Sequence, residues 1–527
     1  MTTQFYGILT AQEEFLYPDS ALSPLPDTLS IPVPLNGMPG IQLLLQTHGK
    51  TVSLELENSS SANSEHTPVS FIPEWFQMRE IPVEYNTGDG VSQGGSMVLE
   101  NRPAEKPGYA SRLAPFYVYD CLEPNETGIF SVKNNRAAIY FCLQPDEKIL
   151  PGIHTLQLKV HTEEGCYHCK ISLHVYNVMI PEDAFPVTNW FSLDAICRFH
   201  NVKPGSEEFL TMMKKYAQSM RRIHQNIFFM ELDETCVVSR NPYTFDFEYL
   251  TPVIYCFFES GMKKMELGTL LNRGFLPDGK PDMYTDKFTC AMAKNVLFDT
   301  LEGYTITVTY VKTLADYLKK HGWADKVLFH IHDEPDIHYK DQQTLDARFR
   351  GGIDIWVPGT AGYEKRKEEF DTLISLGETV WNYVCCGPEG YWLNRFLDFD
   401  LIKNRLLFWG FARNRISGYL HWGFNQFQGG MDPYKGTSCP NHTGIGTNFP
   451  CGDAFLIYPG KNGPNPGMRM EAQRRGAEDA ALWQLLRKKD EILHDKLLNE
   501  VFTNNYTYNS DPQKLEEIYE ELLRNLE

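Results

Sequence analysis

The segment VLFHIHDEPDIHY, residues 327–339, places two adjacent carboxylates directly after an apolar run. Two ionised carboxylates side by side repel each other, and this repulsion raises the pKa of one of them so that it stays protonated. Pro335 removes a backbone donor and ends the strand pattern. We therefore expect Asp333 and Glu334 to stand at the end of a strand, as a pair suited to acid and base chemistry.

Ordinary glycoside hydrolysis needs two carboxyl groups on opposite sides of the anomeric carbon, about 5 to 9 Å apart and usually on different strands. The seventh predicted strand ends in HWGFN and is followed by no carboxylate before Asp432. In a substrate-assisted mechanism the nucleophile is instead the carbonyl oxygen of the sugar's own 2-acetamido group. One carboxyl group then protonates the leaving oxygen, while its neighbour orients the acetamido nitrogen and offsets the charge of the oxazolinium ion.

The elements that position this pair follow from the periodicity after about residue 186. The segment 206–225 carries an apolar stripe at helical spacing and feeds directly into the run NIFFMEL, and the segment 304–321 has a similar stripe. Eight strands are predicted, near residues 190–196, 227–232, 264–267, 327–332, 353–357, 379–384, 418–422 and 454–458. Strands that alternate with helices in this way predict a (β/α)8 TIM-type barrel, whose active site lies at the carboxyl ends of the strands.

The chain before this region has a different pattern, with short alternating runs and frequent turn residues. Two period-2 runs flank Glu163, Glu164 and Gly165, which predicts a hairpin. Such a pattern is typical of a β-sandwich. The sequence therefore predicts an α/β protein with an N-terminal β-sandwich domain at 1–180, a barrel catalytic domain at 181–500 and a C-terminal helical tail at 501–527.

Aromatic residues accompany the carboxylates at the predicted strand ends. Four of the nine tryptophans, Trp190, Trp356, Trp381 and Trp422, fall in or beside predicted strands near one face. A pyranose ring stacks its C–H face on such a side chain while its hydroxyls form hydrogen bonds around the edge. Each tryptophan alone is explained as well by barrel packing, but their grouping with Asp333 and Glu334 favours a sugar site.

Composition narrows the class of partner. The formal net charge is -19, which opposes nucleic acid, anionic glycans and acidic lipid as main partners. No apolar run reaches the roughly 20 residues of a membrane span, and the N-terminus lacks the pattern of a secretory signal. We therefore expect a cytoplasmic protein, with twelve reduced cysteines, that acts on a neutral oligosaccharide or glycoconjugate and binds neither nucleic acid nor membrane.

Two motifs suggest metals, and neither is complete. The CYHC motif at 166–169 has the spacing of half a zinc site without a second ligand pair. His330 and His332 form an H-x-H motif like that of amidohydrolase-like barrels, but the later strand ends add little beyond His421. Alternation points both histidines to the same face, where one is satisfied in the barrel interior and the other holds a sugar hydroxyl. No metal or cofactor is predicted.

Four segments in the same order resemble glycoside hydrolase family 123 and the wider group called domain of unknown function 4091. They are the DEP motif after an apolar strand, WNYVCCGP, RLLFWGFARNRISGYLHWGFNQF, and DAFLIYPG followed by MRMEAQRRGAEDAALWQLL. The resemblance covers about residues 185–486. It implies a retaining, exo-acting β-N-acetylgalactosaminidase with a β-sandwich ahead of a (β/α)8 barrel, an adjacent Asp-Glu pair and no metal.

The resemblance also implies roles for individual residues. Glu334 is expected to be the general acid/base, and Asp333 the residue that positions and polarises the acetamido group. Tyr383 is expected to donate a hydrogen bond to the acetamido oxygen, and Trp422 to form the floor under the sugar. Further residues expected to line the site are Trp381, Trp356, Asn425, His332 and Trp190.

Two departures from the family pattern bear on the choice of sugar. The gap between the fourth and fifth strands, YKDQQTLDARFRGG at 339–352, is short for a full helix with two loops, which predicts an open side of the barrel. The long insert at 269–300 is expected to lie over the mouth of the barrel. Both features affect the galacto preference more than the chemistry.

Two other functions remain open at this stage. The first is a glycosidase of the same fold that acts on a different sugar, with Glu334 as the acid and a protein carboxylate such as Asp194 or Asp432 as the nucleophile. The second is a non-catalytic carbohydrate-binding protein, which needs the aromatic residues but not the acid pair. Only the substrate-assisted route requires a 2-acetamido sugar.

Overall fold

The chain folds into a sheet-rich N-terminal region followed by an α/β region with a parallel sheet. The computed structural model describes residues 4–58, 71–90, 97–274, 276–278, 282, 285, 287–333, 351–443 and 446–527. The strands of the first region are β1 (Tyr6–Thr10), β2 (Ser23–Pro24), β3 (Thr28–Pro34), β4 (Gly40–Gln46), β5 (Thr51–Asn58), β6 (Phe71–Val83), β7 (Phe116–Pro124), β8 (Ile129–Ser131), β9 (Arg136–Pro145), β10 (Gly152–Thr162) and β11 (Gly165–Tyr176).

These strands form two sheets that share an apolar core. The six-stranded sheet has the order β2-β1-β4-β9-β6-β7, and the five-stranded sheet has the order β3-β11-β10-β5-β8. Leu43 and Ile139 of the first sheet pack with Val160 and Ile171 of the second. The predicted hairpin is confirmed, because β10 and β11 pair along their whole length, up to Thr162 opposite Gly165.

The six-stranded sheet is buried on both faces, which explains why β4 reads GIQLLL without polar alternation. Leu43 and Leu45 face the five-stranded sheet. Leu44, between them, packs on the opposite face with Phe455 and Met468 of the second region. The N-terminal region is therefore a platform for the α/β region.

The second region alternates strands and helices. In chain order its elements are β12 (Val187–Asn189), α1 (Leu193–His200), α2 (Glu207–Arg222), β13 (Ile227–Glu231), β14 (Val237–Arg240), β15 (Tyr243–Phe245), α3 (Thr251–Glu259), β16 (Lys264–Gly268), β17 (Leu271–Arg273), β18 (Phe288–Cys290), β19 (Ala293–Leu297), α4 (Leu301–His321), β20 (Val327–His330), β21 (Ile355–Trp356), α5 (Thr360–Lys365), α6 (Lys367–Ser375), β22 (Thr379–Val380), β23 (Asn382–Tyr383), α7 (Ile402–Arg413), β24 (Tyr419–His421), β25 (Ile457–Pro459), β26 (Pro464–Pro466), α8 (Met468–Lys489), α9 (Glu491–Val501), β27 (Phe502–Asn504), β28 (Thr507–Tyr508) and α10 (Pro512–Leu526).

The central element is a parallel sheet with the order β20-β16-β13-β12-β24-β23. It continues through β22, which precedes β23 and pairs in parallel with β21. Helices pack against the outer face, where Met213 of α2 and Phe257 of α3 share a core with Met265 and Leu267 of β16. Ser206 caps α2, as the predicted helix at 206–225 requires.

Two of the eight predicted strands are wrong. The first strand is Val187–Asn189, and most of the predicted segment 190–196 belongs to α1, because Ser192 caps that helix through the amide of Ala195. The eighth segment, 454–458, adds no parallel strand: its last residues open β25, which pairs antiparallel with β26. Strand β12 instead pairs directly with β24. With β22 and β23 counted as one strand interrupted at Trp381, the described residues show seven parallel strand positions, and the predicted (β/α)8 barrel is not shown.

The two sequence departures fall at the edge of this sheet. The segment 339–352 lies almost wholly outside the described residues, which resume at 351. The insert at 269–300 forms the small sheet β17-β18-β19 in its described part. Backbone amides of Leu270 and Leu271 donate to the carbonyl of Ile331, at 3.0 and 3.2 Å, so the insert contacts the chain that follows β20. Within the described part of the chain no helix has both the length and the apolar character needed to cross a bilayer.

A buried ion pair joins the two regions. Asp120 of β7 and Arg469 in the first turn of α8 are both fully buried, with Oδ2 and Nε 3.1 Å apart. Asp120 Oδ1 also accepts from the Arg469 backbone amide at 3.1 Å, and Tyr458 donates to Oδ2 at 2.5 Å. A carboxylate at a helix N-terminus is favoured by the helix dipole.

We predict that Asp120→Asn lowers the free energy of unfolding by about 3–5 kcal/mol, because it leaves the Arg469 charge buried without a counter-ion. Denaturant unfolding measures the change. Arg240→Gln is the control, because Arg240 and Glu234 form a 2.7 Å pair whose side chains are 61% and 37% exposed. Surface pairs of this kind contribute about 1 kcal/mol or less. Equal effects of the two substitutions would contradict the prediction.

Candidate functional site

The carboxyl ends of the parallel strands bring most of the predicted site residues to one edge of the sheet. Trp190 directly follows β12, and Trp422 directly follows β24. The Trp190 amide donates to the His421 carbonyl at 2.8 Å, which keeps these two strand ends in register. Asp333 follows β20 by three residues and is exposed, whereas Glu334 lies outside the described residues.

Glu266, which sequence reasoning missed, is the centre of one group of contacts at this edge. Its carboxylate is 6% exposed. Trp190 Nε1 donates to Oε2 at 3.0 Å, and Thr188 Oγ1 donates to the same oxygen at 3.4 Å. His330 Nδ1 lies 3.3 Å from Oε1. The only signal in the sequence is a carboxylate in the middle of the strand KKMELG.

The charge on His330 is controlled by its neighbours. Burial disfavours the cationic imidazole, but the Glu266 carboxylate 3.3 Å away and the charge of Asp333 outweigh burial and raise the pKa of His330. His332 behaves in the opposite way, because burial and the nearby Arg273 lower its pKa. The surroundings of the two histidines of the H-x-H motif therefore shift their pKa values in opposite directions.

The insert supports the backbone that carries Asp333. Arg273 Nη2 donates to the Asp333 carbonyl at 2.7 Å. The His332 ring meets Phe288 edge-on, with ring centroids 4.6 Å apart, and neither of its nitrogens has a hydrogen-bond partner among the residues described. The carboxylate of Asp333 remains exposed while its backbone is held.

Trp422 is held by a second buried carboxylate. Its Nε1 donates to Asp453 Oδ2 at 3.0 Å, and its ring meets Phe449 edge-on at 5.3 Å. The Phe449 ring also meets the His442 ring edge-on, with ring centroids 5.9 Å apart. Burial lowers the pKa of His442, and the charge of Asp333 opposes this shift.

His421 and Arg395 complete this group below Trp422. The Arg395 guanidinium is buried and donates to Asn189 Oδ1 at 2.9 Å and to His421 Nδ1 at 2.6 Å. Because the Gly423 amide also donates to Nδ1, the neutral His421 carries its proton on Nε2, which lies 3.2 Å from Asp453 Oδ1. Burial, Arg395 and Arg469 hold the pKa of His421 well below its usual value. Burial raises the pKa of Asp453 to about 7.

The edge of the parallel sheet at the carboxyl ends of its strands is called the mouth below. The other predicted lining residues are less exposed at this mouth. Trp356 is 2% exposed and donates to Glu378 at 3.3 Å, and Trp381 is 5% exposed and packs over Gly418. The amide of Asn425 is buried, and both of its ends are bound to the Ser192 backbone. Tyr383 is half-buried at the end of β23. Their contact with a ligand stays a prediction.

Metal ligation has no support in the part of the chain that the structure describes, where no group of three His, Cys, Asp or Glu side chains is placed to hold an ion. The CYHC motif lies on β11, where Cys169 is buried in the N-terminal core while His168 points outward. Strand alternation therefore separates its side chains.

Comparison with known proteins identifies a family. The family model for the glycoside hydrolase 123 catalytic domain matches residues 190–350 and 350–486, more than half of the chain. A family 123 glycoside hydrolase from Clostridium perfringens, whose structure was solved for the details of glycolipid glycan hydrolysis, has a similar fold, with a TM-score of 0.72 at 13% identity over 99% of this chain and 97% of that one. A family 39 glycoside hydrolase from Bacteroides cellulosilyticus has a TM-score of only 0.34, at 11% identity over 82% of this chain and 80% of its own. Among curated proteins no match was found.

We predict that Gly423→Ala disturbs the site, because Gly423 lets the strand end touch the 453–454 backbone. A Cβ there would lie 2.7 Å from the carbonyl atoms of Ala454 and from the Asp453 oxygen. Overpacking of this kind costs about 1–3 kcal/mol, which thermal unfolding measures. Gly362→Ala is the matched control, since Gly362 is an exposed helical residue with open space around it. Gly362→Ala is expected to leave the stability of the protein unchanged or to raise it slightly. An equally stable Gly423→Ala variant would refute this view of the strand end.

Proposed function

Because this chain belongs to glycoside hydrolase family 123 and is a glycosidase, we propose that it releases terminal β-linked N-acetylgalactosamine with retention of configuration. The nucleophile is the carbonyl oxygen of the 2-acetamido group of the substrate. The observation that supports the proposal is the exposed Asp333, which lies within the matched family domain three residues after the fourth parallel strand and precedes Glu334 in the sequence. The carboxyl ends of parallel strands are where barrel-type enzymes place their catalytic groups.

In the first step Glu334 donates a proton to the glycosidic oxygen as the bond to C1 breaks. The acetamido oxygen attacks C1 from the opposite side, and an oxazolinium ion forms. Asp333 accepts a hydrogen bond from the acetamido N–H, and its negative charge offsets the positive charge that grows on the ring. The exposed position of the Asp333 carboxylate, on a backbone held by Arg273, suits this role.

In the second step water attacks C1 from the face that the leaving group vacated. Glu334, now ionised, removes a proton from that water, and the acetamido group is restored. Tyr383 is proposed to hold the acetamido oxygen, and Trp422, fixed by Asp453, to form the floor under the sugar ring. Trp190 and His332 are proposed to line the side near β20, and Trp356, Trp381 and Asn425 to support the opposite side.

The substrate class is proposed to be a glycan that carries a non-reducing-end amino sugar, and the glycan of a glycolipid is the first candidate. The Clostridium perfringens protein, similar in fold, is described in connection with glycolipid glycan hydrolysis. A formal charge of -19 favours a neutral glycan over a sialylated or sulfated one.

The proposal predicts activity only on aryl glycosides that carry a 2-acetamido group. Purified protein is offered the β-N-acetylgalactosaminide, the β-N-acetylglucosaminide and the plain β-galactoside of nitrophenol. Glu334→Gln and Asp333→Asn are each expected to reduce kcat by about 10²–10⁴-fold on the acetamido sugars. A galacto-configured thiazoline, which mimics the oxazolinium ion, is expected to inhibit tightly.

Controls separate this route from a protein nucleophile. Asp432 forms a 2.9 Å pair with Lys435, and Asp194 lies in the first turn of α1. Asp432→Asn and Asp194→Asn are therefore expected to keep activity. Hydrolysis of the plain galactoside, full activity in Asp333→Asn, or loss of activity in either control would show that a protein carboxylate attacks C1.

A further inference from the structure

Glu266 is a buried carboxylate that the proposed reaction does not use. It sits in the middle of β16, with its neighbours Met265 and Leu267 packed into the core on the helical side. Strand alternation therefore turns Glu266 to the inner side of the sheet, below the mouth. A buried carboxylate without polar partners would strongly destabilise the fold. The groups that contact Glu266 therefore indicate its role.

Those partners belong to two other strands of the sheet, β12 and β20, or directly follow them. Thr188 and Trp190 belong to the first strand and its end, and His330 is the last residue of β20. One carboxylate thus connects the strand end that carries Trp190 to the strand end that carries Asp333. We propose that Glu266 is a positioning residue of this glycosidase site: its carboxylate orients the Trp190 and His330 rings through its contacts with both.

The Trp190 ring is fixed in two directions. Its indole N–H is bound to Glu266, and its face stacks on Phe229 with centroids 4.5 Å apart and planes inclined by 20°. The His330 ring lies 5.5 Å from it. A sugar that enters the mouth therefore meets a preformed aromatic wall, which removes ordering cost from binding.

The charge of His330 follows from the groups around it. Glu266 faces it from β16, and Asp333 and His332 act on it from its own chain end. Arg273 of the insert acts on His332. Because Glu266 and Asp333 together outweigh burial, the pKa of His330 is raised and the imidazolium form persists to higher pH.

This pairing matters for activity only if the sugar binds beside Asp333, so the inference rests on the proposed function. The protonated His330 ring forms an ion pair with the Glu266 carboxylate, with Nδ1 and Oε1 3.3 Å apart, and this pair fixes the orientation of the ring. When His330 loses its proton, the ion pair is lost and the ring is less firmly positioned. Activity is therefore expected to fall as pH rises through the His330 titration.

The test compares wild type with Glu266→Gln, which keeps the shape and removes the charge. The pH dependence of kcat/KM on the acetamido aryl substrate is measured, and His330 is titrated by NMR of ¹³Cε1-histidine-labelled protein, assigned with His330→Gln. In Glu266→Gln we expect the His330 midpoint and the alkaline limb of the activity profile to move together to lower pH. We also expect kcat/KM at its optimum to fall by about 10- to 100-fold.

Glu478→Gln is the matched control, because Glu478 is also buried and its Oε1 lies 3.2 Å from a histidine, His224, remote from the mouth. It is expected to leave both midpoints unchanged. An unmoved His330 midpoint in Glu266→Gln, or a moved midpoint with an unmoved activity profile, would overturn the positioning role. A wild-type enzyme inactive on every acetamido substrate would instead refute the proposed function, while the NMR titration would still decide whether Glu266 sets the charge of His330.

Discussion

Two buried guanidinium groups hold together the parts of the chain that form the mouth. Arg395 and Arg469 are both buried, and removing an arginine from water is costly unless its donors find acceptors. Arg469 connects Asp120 of the N-terminal region to the carbonyls of Arg395 and Gly452. Arg395 then reaches His421 and the Asp453 carbonyl. Strand ends, connecting loop and N-terminal platform are therefore one hydrogen-bonded unit.

Trp422, which is proposed to form the floor under the sugar, is attached to this unit. Trp422 is bound to Asp453, whose carbonyl is one of the acceptors of Arg395. Burial and the same two cations lower the pKa of His421, and its Nδ1 serves as an acceptor for Arg395. The hydrogen bonds that are formed fix the strand end relative to the loop that carries Asp453. The N-terminal region thus contributes to the placement of Trp422 through Asp120 and Arg469.

Sequence periodicity predicted the parts of the fold that local physics determines. The hairpin at 152–176 and the helix capped by Ser206 depend on short-range alternation and capping, and both are confirmed. The segment 454–458 is as apolar as a barrel strand, yet it is packed between the N-terminal sheet and the parallel sheet, where Phe455 and Leu456 join two different cores. A segment buried between two regions has the same apolar pattern as a buried parallel strand. The local sequence therefore does not distinguish a buried connecting segment from a strand.

Some residues of the candidate site could likewise be predicted from local sequence, and others could not. Asp333 and the tryptophans at strand ends were found because they interrupt or follow apolar runs. Glu266, Arg395 and Asp453 were missed because their importance comes from partners distant in the sequence, such as Trp190 for Glu266 and Trp422 for Asp453. Long-range pairing of charges is decided by the packing of strands and loops, which the sequence of any one segment does not contain.

The insert after β16 shows how accessibility and rigidity are combined at Asp333. It occupies the carbonyls of Ile331 and Asp333 with donors from Leu270, Leu271 and Arg273, while the Asp333 carboxylate stays exposed. A reacting group held through its backbone needs little reorganisation when charge develops on the substrate. Because these bonds use only backbone carbonyls, the outer residues of the insert can vary without moving the carboxylate.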